Sequence, residues 1–357
     1  MSEKMPVAPA LRQTGLTFAI GALGGTLFHA AGLPASWLAG AMIFVAAAAL
    51  ARVPVELPNR MRDGFFVILG LSMGGGVGPD VVDRIAQWPV TMALLAVTLV
   101  LVTGATYVFL YRFAHWDRES AFLGAIPGAL SFVMAIAAER RADQARIAAS
   151  QTVRLVILVA VLPLVITSTA SHGSQSAVPA VFPGWVEGGI LLIACVAASF
   201  LAVRLRVPGG WLTGAFFMSS AINVTGVMPV ALPQWILVPC YIGLGCFIGS
   251  RFTSTTFGMF LGMLKASLGA IVVGLFVSLA MAWFASVLVG LPFGQLLLAY
   301  APGGLEVMTL LSFMLNLDPA FVAAHQLARY ISMVLLLPFI TGLLLGRISN
   351  ESKSGQN

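Results

Sequence analysis

A chain that repeats itself at one fixed spacing is built from two copies of one unit, and this chain does so. Gly32-Leu33-Pro34-Ala35-Ser36-Trp37-Leu38-Ala39-Gly40-Ala41 recurs as Arg206-Val207-Pro208-Gly209-Gly210-Trp211-Leu212-Thr213-Gly214-Ala215, at an offset of 174 residues. At an offset of 175, Gly70 and Gly74 match Gly245 and Gly249, and Pro127-Gly128-x-Leu130 matches Pro302-Gly303-x-Leu305. Asp143, Gln151, Arg154 and Pro163 match Asp318, Gln326, Arg329 and Pro338 in the same register. So many uncommon residues in one register mark a duplication. The halves run from 11–175 and 184–348, joined by a linker at 176–183 inside a stretch rich in Ser, Pro and Gly.

Composition decides what each copy is made of. The 357 residues are 59% hydrophobic and only 9% charged, whereas a soluble domain runs nearer ~45–50% apolar and ~25% charged. So few charges cannot cover a water-facing surface, which excludes a soluble enzyme, a disordered regulator and a fibrous protein. The chain reads as an all-α membrane protein. Six apolar segments fall in the first half, near 13–30, 34–50, 62–78, 88–111, 120–137 and 146–169. Six more fall in the second, near 185–203, 209–225, 234–250, 257–289, 294–315 and 321–346. A crossing helix takes ~20 residues, so these segments leave no room for a soluble domain. The fifth segment of each half is short, and a Pro-Gly pair interrupts it.

Charge placement decides how many segments cross. If all six of each half cross, with the N-terminus inside, then Arg140, Arg141, Arg146, Arg204, Arg206 and Arg251 all fall outside, against the rule that Lys and Arg collect on the cytoplasmic face. If the Pro-Gly segment instead enters and returns on one side, fifteen Lys and Arg fall inside, and only Arg84 falls outside, beside Asp80 and Asp83. This second topology has five crossings per half. Five is odd, so the halves have opposite orientations, and both termini are cytoplasmic in the cell inner membrane. Inverted repeats with interrupted helices are a recurrent design of secondary transporters. The interruptions free backbone groups, which are tolerated at membrane depth only where they line protein or a water-filled cavity. The net charge of +6 is accounted for by this topology and calls for no nucleic-acid partner.

Arg154 and Arg329 each lie eight residues after the start of their segments, roughly 12 Å deep at 1.5 Å per residue. Gln151 and Gln326 precede them by one turn and share their helix faces. A buried arginine is costly without a partner. Two roles are open and compatible: attracting an anionic substrate, or tying the helix to freed carbonyls of the broken segment. Glu306 follows Pro302-Gly303 within one turn, where the first half has Ser131. This acid is a candidate carrier of a coupling proton or Na⁺; an ion pair with Arg329 is the competing role. Lys265 lies about two turns inside its segment and can snorkel to the cytoplasmic face.

The remaining polar residues suggest plainer roles. Asp143 and Asp318 immediately precede helices and read as N-caps, as does Asp63. Cys195, Cys240 and Cys246 sit in apolar stretches as small buried residues. Among the four histidines no metal-ligand spacing occurs; His325 adjoins Gln326, and either lines its cavity or packs. The glycines at 21, 24 and 25 and at 70 and 74–76 suit close helix packing and can support a homodimer. The first apolar segment, without a cleavage site, reads as a retained helix. There is no nucleotide-binding, hydrolytic or metal motif, so no enzyme, catalytic residue, cofactor or metal is expected.

The paired Pro-x-x-Trp-Leu-x-Gly-Ala motifs, the paired Pro-Gly segments and the Gln-x-x-Arg helices resemble the AbrB-type membrane family over nearly the whole chain. Members carry labels such as ammonia monooxygenase or membrane regulator of gene expression. The family shares its name with a small soluble DNA-binding regulator, which this chain does not resemble. A weaker similarity, in the Gly-Leu-Pro-to-Gly-Ala hairpin and the following Gly-rich helix, links it to cation–proton antiporters and anion transporters. That similarity implies an inverted-repeat fold with crossed broken helices. Copper or iron chemistry would need clustered ligands, which this sequence lacks, and DNA binding would need a soluble domain. The expected function is secondary transport of a small anion or polar metabolite. In that scheme Arg154 and Arg329 attract it, and backbone N–H groups beside Pro127-Gly128 and Pro302-Gly303 bond it. Gln151, Gln326 and Ser131 orient it, and Glu306 couples an ion. The alternative is a membrane-embedded regulator that acts on gene expression indirectly.

Overall fold

The structure is a computed structural model that describes residues 7–78, 81, 85, 88–128, 130–140, 142–169, 184–225, 232–254 and 257–345. The linker, Asp80, Asp83 and Arg84 lie outside these residues. The described residues form helices joined by turns and short loops, with no strand among them. In the first half the helices are α1 (Val7–Ala30), α2 (Ser36–Leu50), α3 (Asn59–Gly75), α4 (Trp88–Val108, prolonged by a π-turn, Phe109–Phe113), α5 (Arg118–Ala125), α6 (Leu130–Glu139) and α7 (Gln144–Thr169). In the second they are α8 (Trp185–Arg204), α9 (Gly210–Val224), α10 (Gln234–Ser250), α11 (Phe257–Val289), α12 (Phe293–Tyr300), α13 (Leu305–Met314) and α14 (Pro319–Leu345). Each expected segment is present, and the fifth of each half is split at its Pro-Gly pair.

Six of these helical stretches are long and apolar enough to cross a membrane. Their outer faces stay apolar: Val100, Ile193 and Phe276 are each 71% exposed, an arrangement that suits lipid and not water. Inside, Leu38, Leu69, Leu158, Leu212, Leu244, Leu297 and Phe321 belong to a single core drawn from both halves.

The duplicated motifs build matching joints. The Pro-x-x-Trp turn places Ala35 (φ 50°) and Gly209 (φ 62°) in left-handed conformation just before α2 and α9. Helix α3 then packs on α9, and α10 on α2, so each half contributes one helix to each crossed pair. The repeated glycines make these crossings close. A methyl group on Gly70 or Gly74 would lie 2.5 Å from the carbonyl oxygen of Leu212 or Phe216 in α9. On Gly245 or Gly249 it would lie 2.5 or 2.6 Å from that of Leu38 or Met42 in α2. Gly24 and Gly25 likewise pack on Gly40 and Trp37. These glycines are thus used within the chain.

The two split segments are hairpins. Glu119, at the start of α5, lies 3.4 Å from Arg140, just past the end of α6. The Asp143 N–H donates to Ser120 Oγ at 2.7 Å. The base of the first hairpin is therefore closed at the start of α7. In the second, Gly294 near the start of α12 packs against Leu317 beyond α13, and against Ile166 near the end of α7. From Asp143 to Ile166 is about 35 Å along the helix. The two hairpin bases thus sit at opposite ends of α7, and their tips meet between: a methyl on Gly128 would lie 3.7 Å from both Gly303 O and Arg329 Nη2.

Asp143 and Asp318 cap their helices as expected. Asp143 accepts from the Arg146 N–H at 3.0 Å, and Asp318 from those of Ala320 and Phe321 at 2.9 and 3.1 Å. Asp63 does not cap: it lies inside α3, ion-paired to Arg62 at 2.6 Å. All three cysteines are free and buried.

Candidate functional site

The hairpin tips enclose a cavity of about 310 Å³. Pro127, Gly128, Pro302 and Gly303 line it from the tips. Gln151 and Arg154 reach it from α7, Gln326 and Arg329 from α14, and Glu306 from the first turn of α13. Ser131 is in the first turn of α6, and its side chain lies outside the described residues. Nine of the ten residues singled out from the sequence thus converge on one space, although they come from five separate places in the chain.

Both arginines are tied to the breaks. Arg154 Nη2 donates to Ile126 O at 3.2 Å. Arg329 Nη1 donates to Ala301 O at 2.5 Å, and its Nη2 to Gly303 O. Each break ends a short helix whose last carbonyls lack intrahelical partners, and a guanidinium with five donors satisfies them. Gln326 continues the pattern: its Nε2 donates to Leu298 O at 2.7 Å and Ala299 O at 3.3 Å. The structural tie expected as one of two roles is therefore present.

The tie leaves the charges in place. Arg154 and Arg329 are 9% and 5% exposed, and among the described residues neither has a carboxylate within ion-pair distance. Each guanidinium also lies within electrostatic range of the other. Glu306 is not paired with Arg329; the charges acting on it are those of Arg251 and Arg62. The backbone at the second tip offers fewer donors than the sequence suggested. The Gly303 N–H is turned onto Ala301 O at 2.8 Å, so the N–H groups nearby are those of the first turn of α13, where the Glu306 carboxylate accepts from its own backbone N–H.

His325 does not line the cavity. It is fully buried, 2.8 Å from both Thr91 Oγ and Phe321 O, and stacked on the Phe321 ring. Among the described residues no group of three or more His, Cys, Asp or Glu is placed to hold a metal ion.

Several lining residues were not foreseen. Pro208 and Gly209, from the turn before α9, approach Glu306: a methyl on Gly209 would lie 3.0 Å from its Cγ. Phe247 and Arg251, at the end of α10, line the cavity as well. The guanidiniums of Arg62 and Arg251 lie 4.9 and 5.1 Å from the centre of the Phe247 ring, at cation–π range. The duplicated Pro-x-x-Trp turn was a visible signal for Gly209. A lone arginine at a helix end reads as a topology determinant, so nothing marked Arg251.

Comparison with known proteins places the chain in a family. The family profile described as "Transition state regulatory protein AbrB" matches residues 37–345. A Bacillus subtilis (strain 168) protein named "Uncharacterized protein YhjN" is 28% identical over 353 residues, covering 90% of each chain. An Escherichia coli (strain K12) protein named "Putative regulator AbrB" is 24% identical over 332 residues, covering 92% of this chain and 95% of its own. No solved structure gives a significant match. The profile takes in both halves, both hairpins and both arginine helices, and the chain belongs to the AbrB family.

Proposed function

We propose that this chain is a secondary transporter of a small anionic or polar metabolite, working by alternating access in the cell inner membrane. The observation that carries this reading is the pair of buried guanidiniums, facing one cavity without a carboxylate partner. Carbonyl hydrogen bonds satisfy an arginine's donors but leave its charge uncompensated, and an anion entering between Arg154 and Arg329 supplies the compensation. Gln151, Gln326 and Ser131 orient the ligand, and the helix start of α13 adds a favourable dipole. Glu306, within reach of the fields of Arg251 and Arg62, couples an ion to the movement.

Several features support halves of opposite orientation. The hairpin bases sit at opposite ends of α7, and each crossed helix pair takes one member from each half. The charge distribution asks for five crossings per half, with both termini cytoplasmic. Two such halves can exchange roles, exposing the cavity first to one side and then to the other. Reporter fusions near Asp143 and Gly173 test this topology; the expected result is Asp143 inside and Gly173 outside.

The function is tested by melting the purified protein in detergent against a panel of small anions, beside Arg154→Ala and Arg329→Ala. A ligand at 100 times its Kd stabilises by about 2.7 kcal/mol. The expected result is a shift with at least one anion that disappears in both variants. No shift with any anion, in well-folded protein, sinks the reading.

The name of the Escherichia coli relative favours a second reading, a membrane-embedded regulator that senses the ligand without passing it. The basic loops at 51–62 and 138–146 would then meet a cytoplasmic partner. Ligand binding without uptake into proteoliposomes selects this reading over transport.

A further inference from the structure

Two buried polar atoms, on residues that line the cavity, have no partner: Gln151 Nε2 and Gln326 Oε1. Their residues are 7% and 1% exposed. Buried polar groups are normally satisfied; Ser220 Oγ and Ser267 Oγ also lack a partner, but away from the cavity, and what points to a ligand is the matched place of the two glutamines on its wall. The atoms are of opposite kind. Gln326 is held in one orientation because its Nε2 is committed to Leu298 O and Ala299 O. Its Oε1 can therefore only accept. A plain carboxylate satisfies Gln151 and the arginines but has nothing to donate to Gln326.

We propose that the ligand carries a protic group, hydroxyl or ammonium, on the carbon beside its carboxylate; this rests on the anion-site reading above. Gln326 precedes Arg329 by three residues, which places the two side chains about 5–6 Å apart at their bases on one helix face. A carboxylate at the guanidinium and a donor on the adjacent carbon span such a gap. Glu306 lines the same cavity and is a second acceptor for the protic group. The ligand class is thus the small α-hydroxy and α-amino acids, and simple fatty acids are excluded.

Matched acids on the wild-type protein test this. Propionate, lactate and alanine form one series, and succinate, malate and aspartate another, each titrated in detergent by melting temperature. A site built to hydrogen-bond a hydroxyl or amine discriminates strongly against the analogue lacking it. The protic member of one series is expected to bind at least about tenfold tighter than the bare acid. Whether lactate and malate or alanine and aspartate win separates hydroxyl from ammonium. In Gln326→Met the ratio of protic to bare-acid affinity should shrink severalfold, whatever the change in bare-acid binding itself. If bare acids bind as tightly as their protic partners in both series, the proposal fails and the anion site stands. If none of these acids binds, the proposal fails; the anion-site reading fails with it only if no other small anion binds either.

Discussion

Around the first break, Arg154 donates one hydrogen bond, to Ile126 O, and the amide nitrogen of Gln151 has no partner. Around the second, Arg329 holds the carbonyls of Ala301 and Gly303, and Gln326 holds those of Leu298 and Ala299. The two sites descend from one sequence pattern, yet one is a tightly tied platform and the other is loosely tied. The single carboxylate lies on the tied side, at Glu306, where the first half has Ser131. Its flanking charges are just as one-sided. In the repeat register Arg251 corresponds to Gly76, and Arg62 to Leu237. Duplication supplied two equivalent breaks; divergence left one fixed and charged, the other plain and adaptable.

The largest expected effect comes from cutting the ties. Arg329→Ala bares Gly303 O, worth roughly 1–3 kcal/mol, and removes one of the two donors to Ala301 O, worth about 1 kcal/mol more, so a loss of about 2–4 kcal/mol is expected. Arg154→Ala strips one carbonyl, and about 1–2 kcal/mol is expected. Thermal and denaturant melts of both variants measure the difference. Equal losses would break the comparison, because the tied and loose sides would then contribute alike.

The next effect concerns coupling. Wild-type uptake into proteoliposomes is expected to depend on an imposed pH or Na⁺ gradient. In Glu306→Gln, uptake with and without the gradient should differ by a factor near one, while melting temperature changes little. Ser131→Glu in that background should not restore the dependence, because Gly76 and Leu237 supply no charges like those of Arg251 and Arg62. Uptake that keeps its wild-type gradient dependence in Glu306→Gln removes the ion-coupling role.

The sequence carried the fold to an unusual degree, for a physical reason. Bilayer helices are long and apolar, so their limits are drawn by hydropathy, and α10 and α11 fall where the apolar runs do. Single prolines sit inside α7 and α10 without breaking them, but adjacent Pro-Gly pairs in short segments stood out, so the two breaks were visible too. The repeat then singled out the intramembrane Gln and Arg pairs, and geometry brings these to one cavity. Contacts between distant segments were beyond reach. Nothing in the sequence separates His325, packed between Thr91 and Phe321, from its neighbour Gln326, which lines the cavity. Nor does the pattern show that Asp63 turns to Arg62 and leaves its helix uncapped. The choice at His325 is tertiary; that at Asp63 is local, between adjacent side chains.

The smallest effect tests whether the asymmetry extends beyond the cavity to the helices that carry the arginines. Asp318 is buried and accepts two N–H bonds at the start of α14. Asp143 accepts one at the start of α7, and shares its carboxylate with Arg146 at 3.0 Å on a side chain 41% exposed. Losing a cap costs ~0.5–2 kcal/mol. Asp318→Ala should fall near the upper end, because no water reaches the bared amides as readily as it does at Asp143. Asp143→Ala should fall near the lower end, since solvent replaces the lost bond and exposed ion pairs add little. Asp→Asn at either position keeps the accepting oxygen, so it should recover most of the loss. If Asp143→Ala proves the costlier of the two, the first half is not the looser one. The contrast between the breaks is then confined to the hairpin tips and does not run along the helices behind them.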